Sequence, residues 1–278
     1  MFIHILSAIF LFNLQSVTAN EKIVGGTKIS EAAIKNMFST IRTSGSLGVQ
    51  IGPRVFLTCG HCITSPHSII SNIPNKNCDL ELSRFVSNDT LDSKAVVHCT
   101  DAGEMDLALI VQAQPVEGKM LTVNLNPISI GEELIVLGGG RTDTSEAWTC
   151  GGYNGYHYAT KSIVDLIDNI IVFEGVDRTG SPSPYTCAGD SGGQYFKLLE
   201  TGNIEISGIH AWGFEKGRSF SRNQINYILP SLFGGTNLAH ERTITWFNRI
   251  IEDENLEICG INLDCKPVKW NPNFMVIN

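Results

Sequence analysis

Along the chain, short apolar runs alternate with turn-forming residues. Runs rich in Val, Ile, Leu and Phe occupy 45–57, 95–97, 107–111, 134–137, 170–173, 195–199 and 204–209, and Gly, Pro, Asn and Asp separate them. Runs of this length between turn formers predict the strands of an all-β barrel or sandwich. A helical period appears only late. In TITWFNRIIEDE, Ile244, Phe247, Ile250 and Ile251 recur at three- and four-residue steps and so share one helix face, which predicts a helix over about 243–252. Beyond it, the segment 253–278 has no clear period and reads as an irregular extension in which Cys259 and Cys265 stand close in sequence. No internal repeat or low-complexity segment interrupts this pattern.

The 278 residues suffice for one large domain or for two packed units of about a hundred residues each. Apolar residues make up 42% and charged residues 17%, a balance that supports a packed core rather than a disordered chain. The net charge of −8, with no block of Lys or Arg, argues against nucleic-acid and anionic-membrane partners. The apolar stretch 2–14, followed by the small residues Val17-Thr18-Ala19, resembles a secretory signal peptide ending at Ala19. No later stretch reaches a membrane-spanning length. Secretion would place the eight cysteines in an oxidising compartment, although spacing alone does not settle how they pair. Asn88-Asp89-Thr90 has the form of an N-glycosylation acceptor, with an unmodified loop asparagine as the alternative.

The strongest chemical signal is Cys187-Ala188-Gly189-Asp190-Ser191-Gly192-Gly193. Glycines beside a single Ser let the backbone approach a substrate and turn its N–H groups toward a developing oxyanion. A Ser is a weak nucleophile until a base, itself oriented by a third group, takes its proton. The chain offers both: His61 follows the apolar run ending Leu57-Thr58-Cys59-Gly60, and Asp106 opens Asp106-Leu107-Ala108-Leu109-Ile110.

IVGG at 23–26, LTCGHC at 57–62, DLALI at 106–110, GDSGG at 189–193 and IHAWG at 209–213 together resemble the trypsin/chymotrypsin family of serine proteases, over roughly 23–252. The resemblance implies two antiparallel Greek-key six-stranded β-barrels, about 23–125 and 126–241, with the site in the cleft between them and the helix packed outside. It implies a secreted endopeptidase in which Ser191 attacks the scissile carbonyl, His61 relays the proton and Asp106 orients the imidazole. The N–H groups of Gly189 and Ser191 would form the oxyanion hole. A short propeptide, 20–22, would be cut after Lys22, and the freed Ile23 ammonium would pair with Asp190. Tyr185 would floor the specificity pocket and Ala211-Trp212-Gly213 would wall it, which predicts no strong preference for Lys or Arg before the scissile bond. Protein or peptide substrates, an activating protease and protease inhibitors are the partners so implied, with no metal or organic cofactor.

Several features depart from that family. Cys62 and Cys187 occupy family disulfide positions, yet the usual partner of Cys62 is replaced near Ser46 and none lies within 188–258 for Cys187. Either different bridges form or the family pairing is lost; Cys78 with Cys99 and Cys259 with Cys265 are the candidate pairs. Gln194 follows GDSGG where the family usually has Pro. Together with Tyr185 and the cysteines, it leaves open a protease-like secreted protein that binds without cleaving. Cys59-Gly60-His61-Cys62 also spells a disulfide-isomerase tetrapeptide, but Thr58 stands where an aromatic residue is usual and the flanks read as β. As metal ligands, Cys59, His61 and Cys62 lack a second Cys or His pair at zinc spacing.

Overall fold

In a computed structural model, the described residues are 26–43, 46–64, 78–86, 92–99, 105–140, 155–175, 186, 189–213, 220–222, 225–227 and 232–271. In chain order the first half comprises β1 (Thr27–Ile29), α1 (Glu31–Met37), β2 (Thr40–Thr43), β3 (Ser46–Gly52), β4 (Val55–Thr58), α2 (Gly60–Thr64), β5 (Cys78–Val86), β6 (Asp92–Cys99), β7 (Leu107–Gln112) and β8 (Thr122–Val123). There follow β9 (Glu133–Gly138), β10 (Tyr156–Ser162), β11 (Asp165–Ile167), β12 (Ile170–Glu174), β13 (Gln194–Leu198) and β14 (Asn203–Gly213). The short β15 (Phe220–Arg222) and β16 (Ile225–Tyr227), then β17 (Leu232–Asn237), α3 (Glu241–Glu254) and β18 (Val268–Lys269), complete the order.

Two large sheets divide these strands. The first has six, ordered β2-β3-β4-β7-β6-β5, and every pairing in it is antiparallel. The second has ten, following β1-β10-β9-β13-β14-β17-β12-β11 with β8 and β18 joined to β14. Its pairings are antiparallel except for the short β8–β14 contact. This all-β, antiparallel architecture with a C-terminal helix is the chymotrypsin-like fold. In the second sheet β1 and β11 flank a six-strand run from β10 to β12, and β8 and β18 attach beside it.

The apolar runs become strands because their Val, Ile, Leu and Phe side chains are buried, and extended backbone is the form that shares hydrogen bonds between neighbouring runs. β4 and β7 are buried along their whole described lengths. Ile29, Phe38, Val49, Leu57, Leu109, Leu137, Phe196, Ile209 and Phe247 belong to one core cluster drawing on both sheets, α1 and α3. α1 and α2 span only 7 and 5 residues, too few for a period to stand out in the sequence. α1 is nonetheless capped by Ser30, whose hydroxyl accepts from the Ala33 N–H at 3.0 Å.

α3 extends slightly beyond the expected helix at both ends. The His240 ring accepts from the Arg242 N–H, and Asn255 closes the helix in the left-handed conformation at φ 48°. Its buried face carries Thr243, Trp246, Phe247 and Ile250.

The C-terminal extension ties the two sheets together. The Cys259 N–H donates to the Ile51 carbonyl of β3 at 2.8 Å, and the Cys259 carbonyl accepts from the Val123 N–H of β8 at 2.9 Å. A Cys259–Cys265 disulfide closes this segment, and β18 then pairs with β14. The candidate pair Cys78 and Cys99 occupies opposite positions in the β5–β6 ladder.

Candidate functional site

β4 ends at Thr58 and the chain turns directly into α2, so His61 is carried on a helix of one turn at the edge of the first sheet. Asp106 immediately precedes β7, the strand paired with β4. Pairing Thr58 with Ala108 brings the two residues together across 45 positions of sequence. Asp106 is fully buried, and its Oδ1 accepts the His61 backbone N–H at 2.7 Å. Its Oδ2 accepts a short hydrogen bond from His61 Nδ1. An ionised carboxylate only accepts, so Nδ1 carries the proton and Nε2 keeps a free lone pair. The Asp106 carbonyl in turn accepts from Thr236 Oγ1 of β17 at 3.4 Å, a contact that reaches across from the second sheet.

Burial alone would lower the His61 pKa, but the charge of Asp106 and the hydrogen bond to it outweigh burial and leave it raised above 6.5. The ring is 36% exposed on its side chain, so its outer edge is open to a reacting partner.

Ser191 sits half-buried on a turn leading into β13. Two glycines in the left-handed region shape that turn, Gly189 at φ 94° and Gly192 at φ 79°. A Cβ on Gly192 would fall 2.4 Å from the Leu47 carbonyl oxygen and 2.7 Å from Thr58 Oγ1, so the turn docks directly on the β3–β4 edge that leads to His61. Thr58 Oγ1 is itself anchored, donating to the Leu47 carbonyl at 2.9 Å. The Gly193 N–H donates to the Asp190 carbonyl at 2.9 Å, closing the turn. Among the described residues, the N–H groups of Gly189 and Ser191 have no backbone acceptor. Ser191 makes no hydrogen bond to His61 among the described residues. The His61 Nε2 lies 3.8 Å from Cys59 Sγ and 3.9 Å from Cys62 Sγ.

Asp190 is buried, and its Oδ1 accepts the Gly140 N–H at 2.7 Å. Of the pocket residues expected from sequence, Ala211 is buried and Trp212 half-buried on β14, and Gly213 ends that strand. The β14–β17 register shifts between His210 and Trp212, which leaves Ala211 as the extra residue of a bulge. Lys22, Ile23, Tyr185, Asn88, Cys150 and Cys187 lie outside the described residues.

The structure resolves one of the open pairings. Cys62 is bonded to Cys59, three positions away, so the bridge brackets His61 instead of reaching another strand. The flanks of this tetrapeptide read as β in sequence, yet Gly60 opens α2, because β4 stops where the chain must turn to bring His61 over Asp106.

Sequence reasoning missed His210 and Tyr195. Tyr195 falls within an apolar run, and His210 lies inside the IHAWG segment without having been given a role, yet Tyr195 Oη and His210 Nδ1 lie 2.7 Å apart in the interior. The backbone of His210 clamps the Ser191 turn: its carbonyl accepts from the Gly192 N–H at 2.9 Å, and its N–H donates to the Gly193 carbonyl at 2.7 Å. Burial, with a smaller contribution from the nearby charge of His61, pushes the His210 pKa down to about 3, so this imidazole is neutral. Tyr195 is raised well above 10, by burial first and by the charge of Asp190 second.

No helix among the described residues is long and apolar enough to cross a membrane. A comparison with curated proteins returned no match. The family model for Trypsin matches residues 23–228, a span that includes His61, Asp106 and Ser191. On that match, and on the chymotrypsin-like pairing of its strands, the chain belongs to the trypsin family of serine proteases.

Proposed function

We propose that this protein is a secreted serine endopeptidase that hydrolyses peptide bonds through an acyl-enzyme. The observation that carries the reading is the buried Asp106 carboxylate, which holds both the backbone N–H and the Nδ1 of His61 beside the docked Ser191 turn. In this reading Ser191 Oγ attacks the carbonyl carbon while His61 Nε2 takes its proton. Asp106 keeps the imidazole in the required tautomer and stabilises the cation that forms. The Gly189 and Ser191 N–H groups receive the oxyanion, and His61 then returns its proton to the leaving amine. Water repeats the sequence in reverse to release the acid. A Ser191–His61 hydrogen bond is commonly long before substrate binds, and substrate closes it.

The chain is made as a zymogen. Cleavage after Lys22 frees the Ile23 ammonium to pair with Asp190, which orders the turn carrying Gly189 and Ser191. Tyr185 and Ala211-Trp212-Gly213 form the pocket for the residue before the scissile bond, and without an acidic floor it does not favour Lys or Arg.

A second reading, a protease-like binding protein that does not cleave, draws on the sulfurs of Cys59 and Cys62 that lie beside His61 Nε2. One experiment separates the two. Residues 20–278 are secreted, cleaved after Lys22, and treated with a fluorophosphonate probe and a mixed peptide library. Labelling that maps to Ser191, requires cleavage and disappears in Ser191→Ala supports the peptidase. A folded, cleaved chain that neither labels nor cuts supports the binding protein.

A further inference from the structure

The Cys59–Cys62 bridge surrounds His61 with soft ligands. The two sulfurs and a ring nitrogen of His61 lie within 4.8 Å of one another. Cys59 Sγ and Cys62 Sγ stand 3.8 and 3.9 Å from His61 Nε2. Around a tetrahedral zinc ion, with Zn–S of about 2.3 Å and Zn–N of about 2.0–2.1 Å, neighbouring ligand atoms sit roughly 3.5–3.8 Å apart. Two of the three edges of such a site are therefore close to the size required. The third edge, between the sulfurs, is set by the bond that joins them and is free to change once that bond is broken.

We propose that the Cys59–Cys62 bridge conceals a site for a soft divalent cation such as Zn²⁺, composed of Cys59 Sγ, Cys62 Sγ and His61 Nε2 and exposed by reduction. Three further features fit. Thiolates and imidazole are the donor set that zinc prefers. Asp106 holds Nδ1, the carboxylate–histidine arrangement that orients a metal-binding ring and leaves Nε2 on the side of the two sulfurs. The His61 side chain is 36% exposed, so a cation can reach the ring from solvent, and three protein ligands with water at the fourth position are a form zinc takes, so no second Cys or His pair is needed.

The chemistry balances with a thiol or phosphine as reductant. A phosphine takes an oxygen atom from water and becomes the oxide, the S–S bond accepts the electron pair, and each sulfur receives one proton. Cation binding then displaces both thiol protons to the buffer. The bound ion occupies the Nε2 lone pair that would accept the Ser191 proton, so metal binding and peptide hydrolysis exclude one another. That consequence rests on the proposed peptidase reading; the binding does not.

The test uses the full secreted chain, stepwise phosphine and cobalt(II) as the probe. Alkylation mapping identifies the step at which Cys59–Cys62 is open and Cys259–Cys265 still closed. At that step we expect a sulfur-to-cobalt charge-transfer band in the folded chain, absent before reduction. Cys59→Ser removes one of the three ligands and should weaken cobalt binding by more than the roughly ten-fold lost when only a supporting hydrogen-bond partner is removed. A Cys259→Ser/Cys265→Ser variant should retain the band. Three results would overturn the proposal: no band from the folded, opened chain, an unchanged band in Cys59→Ser/Cys62→Ser, or loss of near-ultraviolet circular dichroism once this bridge opens. Fluorophosphonate labelling of the unreduced chain tests the triad separately.

Discussion

Tyr195 Oη and His210 Nδ1 form a 2.7 Å hydrogen bond in the interior of the second sheet, beneath the turn that carries Ser191. Phe173 and Phe233 surround the pair: Phe173 meets Tyr195 edge-on, and Phe233 meets the His210 ring. Removing one partner leaves the other buried and unsatisfied, whereas removing both leaves two apolar groups in contact. Tyr195→Phe should cost about 1–3 kcal/mol. Tyr195→Phe/His210→Leu should cost clearly less than the sum of its single changes, read from urea unfolding. Strict additivity would mean that the two side chains are not coupled.

The same imidazole makes the fold acid-sensitive. His210 titrates near 3 when folded and near 6.5 when unfolded. Between those values the unfolded chain binds a proton that the folded chain refuses. Stability is therefore fully present above about 6.5 and is lost as pH falls toward 3, by several kcal/mol at the acid extreme. The double variant Tyr195→Phe/His210→Leu should show a flatter decline of the urea midpoint over this window. Equal slopes would exclude His210 as a source of the sensitivity.

His61 shifts in the opposite direction. Its raised folded pKa means that the pair with Asp106 adds stability at low pH, and the gain is lost as pH rises through the folded value. On the activity side, kcat/KM should fall as pH drops through that value, because the protonated ring cannot act as base. Asp106→Asn removes the charge and should move the imidazole titration, followed by NMR, to lower pH. It should also cut kcat by about 10⁴-fold, the magnitude of this substitution in the family's reaction template. A titration that does not move would show that Asp106 does not set the charge of His61.

Gly192 and Gly202 separate backbone strain from steric fit. Both lie in the left-handed region, at φ 79° and 78°. A Cβ at Gly202 meets nothing within 4 Å, while one at Gly192 would collide with Leu47 and Thr58. Gly202→Ala should cost about 1–2 kcal/mol from conformation alone and leave fluorophosphonate labelling intact. Gly192→Ala should cost more and abolish labelling, since the turn must shift away from His61. Equal effects on labelling would sink the docking argument.

Much of this protein follows from sequence alone. The apolar runs place the main strands, Ile244, Phe247 and Ile250 place α3, and the order His61, Asp106, Ser191 with the surrounding motifs identifies the family. These features are local: strand and helix periods are set by neighbouring residues, and motifs persist where chemistry demands particular side chains.

What the tertiary structure alone decided depends on pairings between distant residues. Thr27–Ile29 could pair with any exposed strand edge, and packing assigns it to β10 in the second sheet. Cys259 bridges the two sheets through hydrogen bonds to Ile51 and Val123, which no period in an irregular tail could reveal. Cys62 could have bonded to any thiol the fold brought near, and the turn from β4 into α2 brings Cys59. Tyr195 and His210 look like ordinary strand positions until the β13–β14 register buries them together, where the loss of water makes each polar group depend on the other.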